Sequence, residues 1–247
     1  MEIIFDETWK EILNLLRRYN ISEATIEKKG DTLTLEEMNE SHVVLVRAKL
    51  QGSVTGNSGL DRLGIDVEKL FQILKIYGVP RRAEVREEDS EIYFPSAPSD
   101  DGSDLPIDKA EDTLSVKEPN QEESPDLDVE PTVEAQSVNI GFPLYACRKI
   151  HGVEGYQATI TVEDGKLLLK YWTEGSVDGH KSVLGKVKGD SVSSTYHPEL
   201  LEPLRGKWDL RLGSDIPLEA KRVFEEGEKD LRANVTVVVA PKVKNVA

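Results

Sequence analysis

The pattern of apolar and polar positions predicts one succession of elements twice along the chain. In the first block, the apolar residues from Ile12 to Tyr19 recur at helical spacing, whereas later segments alternate or run apolar with β-branched residues, as strands do. Asp66 is placed to cap a second helix, which Gly78 and Pro80 end. The predicted elements are strand 2–5, helix 8–19, strands 24–28, 32–36, 43–50 and 63–65, helix 67–77, and strands 83–86 and 92–94.

The second block repeats this order. A helix begins near Pro143, and its inward face is expected to carry Leu144, Ala146, Cys147 and Ile150. A later helix over 198–204 contains Pro203, which must bend or shorten it. The remaining predicted strands are 138–141, 156–162, 166–172, 180–187, 191–196, 207–212, 216–224 and 235–239. Each block therefore places two helices behind a strand-rich sheet, and the predicted fold class is α+β with antiparallel sheets.

The stretch between the blocks, residues 95–136, has the composition of a loop-rich acidic connector. It carries thirteen carboxylates against two lysines, and its six prolines prevent a long helix. Only 113–117 has strand character. A chain of 247 residues exceeds the length typical of one domain, which is about 150 residues. We expect an N-terminal domain over 1–118 with an acidic tail from about 95, a connector over 119–136 and a C-terminal domain over 137–247.

Composition narrows the class of protein. The formal charge of −15 arises mostly in the connector, so acidic and basic residues nearly balance in the two blocks, and the overall charge does not exclude nucleic acid as a partner. The single cysteine, Cys147, excludes an intramolecular disulfide. We expect no membrane partner, since no apolar run approaches the ~18 residues of a membrane span. The N-terminus lacks the pattern of a secretory leader, so an intracellular protein is expected.

Residues that could carry catalysis are few and scattered. The sequence contains no phosphate-binding loop, no dinucleotide-binding fingerprint and no hydrolase or metalloprotease motif. Cys147 and His151 lie four residues apart, but two ligands are too few for a metal site. His42, His180 and His197 belong to separate elements. We therefore expect neither an enzyme nor a cofactor, although a deep pocket of converging polar groups would revive the enzyme hypothesis.

Cations recur on the outward faces of the predicted helices. On the first helix, Lys10, Arg17 and Arg18 share one side with Asn14, and in the second block Arg148 and Lys149 follow the same pattern. An ordinary solvated helix face, with cations near the negative helix end, is the alternative interpretation.

Five segments resemble one known family. Residues 38–46 (MNESHVVLV) are similar to a loop and strand of the proliferating cell nuclear antigen (PCNA) family of DNA sliding clamps, and 64–75 resemble one of its helices. Residues 126–130 (DLDVE) resemble its interdomain connector, 215–218 (DIPL) one of its strands and 238–243 (VVAPKV) its closing segment. The segments follow the family's order and spacing over nearly the whole chain.

The resemblance implies two similar clamp domains in a ring of usually three subunits, with the helices around a central hole and the sheets outside. Such a ring is a processivity factor. It encircles duplex DNA without sequence preference and tethers DNA polymerase, a clamp loader and replication or repair proteins that carry a peptide motif. The cations that the resemblance turns toward DNA are Lys10, Arg17, Arg18, Lys75, Arg81, Arg148, Lys149, Arg205 and Lys207. Contacts of this kind would be unspecific and sensitive to salt.

The resemblance also implies a pocket for partner peptides. The residues that would line it are Met38, His42, Val43, Val129, Thr132, Val133, Pro217, Val238, Ala240, Pro241 and Lys242. Val238 and Thr132 stand where the family commonly has larger apolar side chains, so peptides are expected to bind weakly or to differ in sequence. The alternative is that the apolar members are core or strand residues.

Ring closure depends, by the same resemblance, on strand pairing between subunits. The strand near 113–117 would pair with the edge strand at 180–187 of the next subunit, through Thr113, Leu114, Val116, Ser182, Val183 and Leu184. Residues 95–125 depart from the family pattern and leave only this short strand for the contact. A homotrimer, or a heterotrimer with other clamp subunits, is expected. The alternative is a clamp-like regulator that stays monomeric or joins unlike subunits without encircling DNA itself.

Overall fold

Antiparallel strands and short helices make up the part of the chain that the structure describes. The structure is a computed structural model, and it describes residues 1–56, 61–86, 88, 90–95, 112–119, 130–152, 154–173, 179–226 and 231–242. These residues fall into two units. Unit 1 holds those within 1–40, 46–124 and 223–235, and unit 2 holds those within 41–45, 125–222 and 236–247.

The elements that lie wholly or mainly in unit 1 are, in chain order, β1 (Glu2–Phe5), α1 (Glu7–Arg18), β2 (Glu23–Lys29), β3 (Thr32–Met38), β4 (Val44–Gln51), β5 (Val54–Thr55), β6 (Arg62–Asp66), α2 (Val67–Tyr77), β7 (Arg81–Arg86), β8 (Glu91–Phe94) and β9 (Asp112–Ser115). Five of the strands form a sheet in the order β5-β1-β7-β8-β9, and four others run in the order β4-β3-β2-β6. The pairings of β1 with β7 and of β2 with β3 are antiparallel.

Local sequence explains both helices of unit 1. The Asp6 side chain accepts a hydrogen bond from the Trp9 backbone N–H at 3.1 Å, and Asp66 does the same for Lys69 at 2.9 Å. The apolar stripe of α1 packs inward, and the Trp9 and Phe5 rings meet edge to face with centroids 5.1 Å apart. Full burial of each such side chain stabilises the fold by roughly 2–3 kcal/mol.

The elements of unit 2 follow the same succession. They are β10 (Val133–Val138), α3 (Gly141–His151), β11 (Tyr156–Glu163), β12 (Lys166–Thr173), β13 (Gly179–Lys186), β14 (Ser193–Tyr196), α4 (Pro198–Leu201), β15 (Trp208–Leu212), and the two final strands β16 (Leu218–Glu226) and β17 (Leu231–Val239), whose inner ends belong to unit 1. Four strands form a sheet in the order β13-β12-β11-β14, and the others run in the order β10-β15-β16-β17.

A glycine at the start of α3 allows a close approach within unit 2. The Gly141 backbone N–H donates to the Leu204 carbonyl at 3.0 Å, and a Cβ at this position would lie 2.4 Å from the Glu202 carbonyl oxygen. Only a residue without a side chain fits there. The contact brings the turn that follows α4 beside α3.

The structure confirms the predicted α+β class with antiparallel sheets and corrects several details. The segment at 133–138 is a strand, although composition had assigned most of it to the connector. Gly141 opens α3 and does not end a strand. Pro203 limits α4 to a single turn that ends at Leu201, because proline cannot continue the helical hydrogen bonds. Ile150, expected inside, is 73% exposed, because the buried stripe of α3 is narrow and runs through Leu144 and Cys147.

Candidate nucleic-acid interface and partner surfaces

In unit 1, one arginine of α1 is joined to α2. Arg17 Nε lies 2.5 Å from Glu68 Oε2, and a second guanidinium nitrogen donates to Glu68 Oε1 at 3.1 Å. The guanidinium also lies over the Phe71 ring, 4.0 Å from its centroid. Two parallel hydrogen bonds and an aromatic face therefore fix the direction of this side chain.

The carboxylate that holds Arg17 stays ionised. A hydrogen bond from Gln72, at 2.7 Å, and those from Arg17 hold the pKa of Glu68 below its usual value, and Lys75 adds a smaller electrostatic contribution. The Glu68 side chain is 53% exposed, so its negative charge lies on the same outer surface as the cations of α1 and α2.

Unit 2 has a corresponding arrangement at α3. Arg148 forms a salt bridge with Glu202, which follows α4, and Arg205 bonds the other oxygen of the same carboxylate at 3.0 Å. The Arg205 guanidinium lies over the Tyr145 ring at 4.6 Å, and Lys149 Nζ is 5.5 Å from the same ring centroid. One glutamate thus neutralises a pair of arginines that are held in place by an aromatic side chain.

The predicted DNA-facing cations therefore differ in how much charge they present. Lys10 pairs with Glu7 at 3.3 Å in the same helix, and Arg18 is exposed beside Arg17. Three lysines, Lys75, Lys149 and Lys207, are exposed and form no salt bridge with any residue that the structure describes.

Arg81 departs from its predicted position on the outer side of α2. It belongs to β7, is only 5% exposed, and its guanidinium lies 5.2 Å from the Tyr77 ring centroid. Because strand residues alternate between faces, the inward register of Arg81 follows from the outward register of Arg82. Arg81 is therefore a structural residue of unit 1.

Large apolar side chains also lie on the outer face of α3. Phe142 is 65% exposed, Tyr145 38% and Ile150 73%. Sequence reasoning missed this face because a Phe, a Tyr and an Ile in a helix were expected to contribute to the core. The outward placement of Arg148 and Lys149 was the available signal, since residues at the intervening helical positions must share their side.

Several predicted pocket residues meet within unit 2. The Ala240 N–H donates to the Val43 carbonyl at 2.8 Å, the Lys242 N–H donates to the Thr195 carbonyl at 2.7 Å, and the Thr132 N–H donates to the Leu212 carbonyl at 2.9 Å. Val43, Pro217, Ala240 and Pro241 are half-buried, whereas His42, Thr132 and Lys242 are exposed.

Other members of the predicted pocket have different positions. Val133 and Val238 are each only 2% exposed, in β10 and β17, so their side chains belong to the core and present no binding surface. Met38 is half-buried at the end of β3 in unit 1. Val129 lies outside the described residues, as do most of the connector and Val243.

Both strands predicted to join subunits are edge strands of their described sheets. β9 ends the order β5-β1-β7-β8-β9, and β13 ends the order β13-β12-β11-β14. On β9, the Leu114 side chain is only 2% exposed and packs inward, while Thr113 is exposed and Val116 half-buried. On β13, Val183 is 64% exposed, and Ser182 and Leu184 are half-buried.

Hydrogen bonds define which groups of β9 face the open edge. The Val116 N–H donates to the Ser90 carbonyl, and Leu114 stands opposite Ile92. Since bonded and non-bonded positions alternate in an antiparallel pair, the backbone groups of Thr113 and Ser115 point away from β8. The Thr113 N–H is bonded locally, to Asp112 Oδ1 at 3.0 Å. The Ser115 N–H is the edge donor that remains directed outward.

Neither a metal site nor a membrane helix occurs in the described part of the chain. No group of three or more potential ligands could hold a metal ion there, and no helix is both long and apolar enough to cross a bilayer. Cys147 is buried in α3, and burial raises the pKa of its thiol.

Comparison with solved structures identifies the fold. PCNA from Thermococcus kodakaraensis superposes with a TM-score of 0.76 at 18% identity, with 98% of this chain and 99% of that chain covered. The fold is that of the PCNA sliding clamps. A PCNA2–PCNA3 complex from Sulfolobus tokodaii gives a TM-score of 0.75 at 18% identity over 98% and 99% of the chains. A. fulgidus PCNA, solved with the C-terminal region of FEN-1 bound, gives 0.72 at 18% identity over 99% of both.

The likeness lies in structure more than in sequence. No protein-family model matches the sequence, and no curated protein matches it either. The resemblance to PCNA that the five short segments indicate is thus confirmed at the level of the fold.

Proposed function

We propose that the chain is a subunit of a DNA sliding clamp, a ring that encircles duplex DNA and tethers replication and repair enzymes without catalysis of its own. The observation that carries the proposal is the PCNA clamp fold, which extends over 98% or more of the chain and of each compared clamp. The exposed cations near the ends of α1 and α3, Arg18 and Lys149, support a surface for phosphate. Such a protein acts inside the cell, on DNA.

A charge-reversal variant tests the DNA contact. We expect replacement of Arg17, Arg18, Arg148 and Lys149 by glutamate to weaken retention on duplex DNA and stimulation of a polymerase, because phosphate repulsion replaces attraction. Each lost contact should lower the salt slope of binding by roughly one. Retention is measured on circular duplex at several salt concentrations, with far-UV circular dichroism as the folding control. Unchanged retention and slope would return these residues to an ordinary solvated face.

The partner pocket is proposed for the surface near Val43, Ala240 and Lys242. The hydrogen bonds that hold the end of β17 and residues 240–242 beside Val43 and Thr195 support it. FEN-1 is the kind of partner expected, since its C-terminal region is bound to A. fulgidus PCNA. DNA polymerase and a clamp loader are proposed as further partners.

A second candidate function is a clamp subunit that joins unlike subunits. The shortness of β9, four residues, and the local use of the Thr113 N–H by Asp112 favour it, because they leave few backbone groups for pairing with an identical copy. The S. tokodaii structure is a complex of two different clamp proteins. Light scattering of the purified chain at several concentrations separates the proposals. A trimer supports the homomeric ring, and a monomer at all concentrations supports the second candidate.

A further inference from the structure

Both units repeat one electrostatic arrangement on the surface that the proposed function assigns to DNA. Near the end of the first helix of each unit stand two adjacent cations, Arg17 with Arg18 and Arg148 with Lys149. In each pair the first is bonded to a glutamate from outside that helix, and the second is exposed. The two glutamates are far from their partners in sequence, so the repetition arises from the folds of the units.

The geometry restrains the arginines strongly. Arg17 is held by two hydrogen bonds and a ring, and Arg148 shares the Glu202 carboxylate with Arg205. A phosphate that approached either guanidinium would have to displace a carboxylate or meet its negative charge at close range. These arginines therefore offer far less attraction to phosphate than their number suggests.

We propose that Glu68 and Glu202 are built-in counter-ions that withhold Arg17 and Arg148 from the DNA phosphates and so limit how tightly the clamp grips DNA. A protein that slides gains from weak contacts, since each phosphate it neutralises adds to the salt-dependent affinity that movement must overcome. The inference rests on the proposed function, because it concerns the same DNA-facing surface. Arg18 and Lys149 carry the contact that remains.

The test compares Glu68→Gln and Glu202→Gln with wild type in binding to a fluorescent duplex oligonucleotide between low and moderate salt. Glutamine keeps the shape of the side chain and removes the charge. We expect each substitution to steepen the salt slope by about 0.9, the value for one added phosphate contact, and to tighten binding several-fold at low salt. Glu36→Gln is the matched control, since Glu36 is a similarly exposed partner of an arginine, Arg47, on a strand.

A double-mutant cycle gives a second arm that does not depend on the size of the first effect. In wild type, Arg17→Gln should change DNA affinity little, because its charge is already neutralised. In the Glu68→Gln background, the same change should remove the affinity gained. Arg18→Gln should weaken binding in both backgrounds.

The outcomes separate the inference from the function on which it rests. Glutamine variants that bind with wild-type slope, or no more tightly than Glu36→Gln, would overturn the counter-ion role while leaving the clamp intact. A fall in melting temperature without any change in slope would make the two pairs purely structural links, which also overturns it. Absence of salt-dependent duplex binding by the wild-type protein would instead refute the proposed function.

Discussion

At the residue scale, the best-connected charged group of unit 2 is Glu219 in β16. It is only 8% exposed and lies 3.0 Å from both an Arg211 nitrogen and Lys221 Nζ. Burial alone would raise the pKa of Glu219, but the hydrogen bonds from Lys221 and Arg211 outweigh it and hold the pKa below the ordinary value of 4.5. A depressed pKa means that the ionised carboxylate stabilises the folded state above pH 4.5, and that this contribution is lost as the pH falls through the folded-state pKa.

We therefore expect Glu219→Gln to lower the free energy of unfolding by about 1–3 kcal/mol at pH 7, because two cations lose their buried acceptor charge. The difference from wild type should shrink below pH 4.5, where the glutamate becomes protonated. Urea unfolding at a series of pH values measures both quantities. Glu134→Gln serves as the control, since Glu134 is 70% exposed and 3.4 Å from Arg211. Its expected effect is below about 1 kcal/mol. A pH-independent difference for Glu219→Gln would contradict the assignment.

Val43 and its neighbour Val44 differ in environment, and this difference tests the peptide pocket. Val43 is half-buried, whereas Val44 is 1% exposed. We expect Val43→Ala to change the melting temperature little and to weaken binding of a FEN-1 C-terminal peptide about tenfold, which is ~1.4 kcal/mol. Val44→Ala should cost about 1–3 kcal/mol of stability by leaving a cavity. Calorimetry with and without peptide measures both, and unchanged peptide affinity in Val43→Ala would refute the pocket.

At the scale of elements, β9 depends on one glycine of β6 for its attachment. The Lys117 N–H, just beyond β9, donates to the Gly64 carbonyl at 2.8 Å. A Cβ on Gly64 would lie 2.4 Å from the Lys117 carbonyl oxygen and 2.9 Å from that of Glu118. Both are backbone atoms, so the segment after β9 cannot keep its place if residue 64 has a side chain.

Gly64→Ala is expected to lower stability by about 1–3 kcal/mol and to speed amide exchange at Lys117, because the strain moves this backbone away from β6. Hydrogen exchange followed by mass spectrometry measures the local effect. Gly185→Ala in β13 is the control, since no atom lies within 4 Å of the Cβ it would gain. Equal protection at Lys117 in the two variants would show that the close approach has no energetic weight.

The sequence predicted those elements whose signals are local. Both helices of unit 1 followed from an aspartate cap and an apolar period, and the structure places them within a residue of the expected bounds. β10 was missed because its alternation, with Val133 and Ala135 inside, adjoins an acidic run that dominated the composition. The glutamate partners of the arginines could not be chosen either. Arg17 and Glu68 are 51 residues apart, and Arg148 and Glu202 are 54, so only the tertiary fold selects them among the chain's many carboxylates.

At the scale of the whole molecule, the two open sheet edges carry the proposed assembly. β9 directs the Ser115 N–H outward, and β13 exposes Val183 on the other edge strand. Exposed edges are normally covered or paired, so each is a site for a strand of another subunit.

Ser115→Pro is expected to prevent ring assembly while the chain still folds, because it removes a donor that β8 does not use. Ser115→Ala, which keeps the backbone N–H, should assemble as wild type does. Multi-angle light scattering at matched concentrations gives the mass of each variant. A trimer of the proline variant would exclude β9 from the interface, and loss of secondary structure in circular dichroism would mark a folding defect.

The chain's single cysteine, Cys147, lies 1% exposed inside α3. A buried thiol with a raised pKa is a poor nucleophile, so maleimide dyes should modify the native protein very slowly. A cysteine introduced at an exposed position such as Lys188 would then be the one fast-reacting thiol, without prior removal of the natural one. A single fluorophore could be attached there to follow individual molecules diffusing along stretched DNA, which would observe sliding directly.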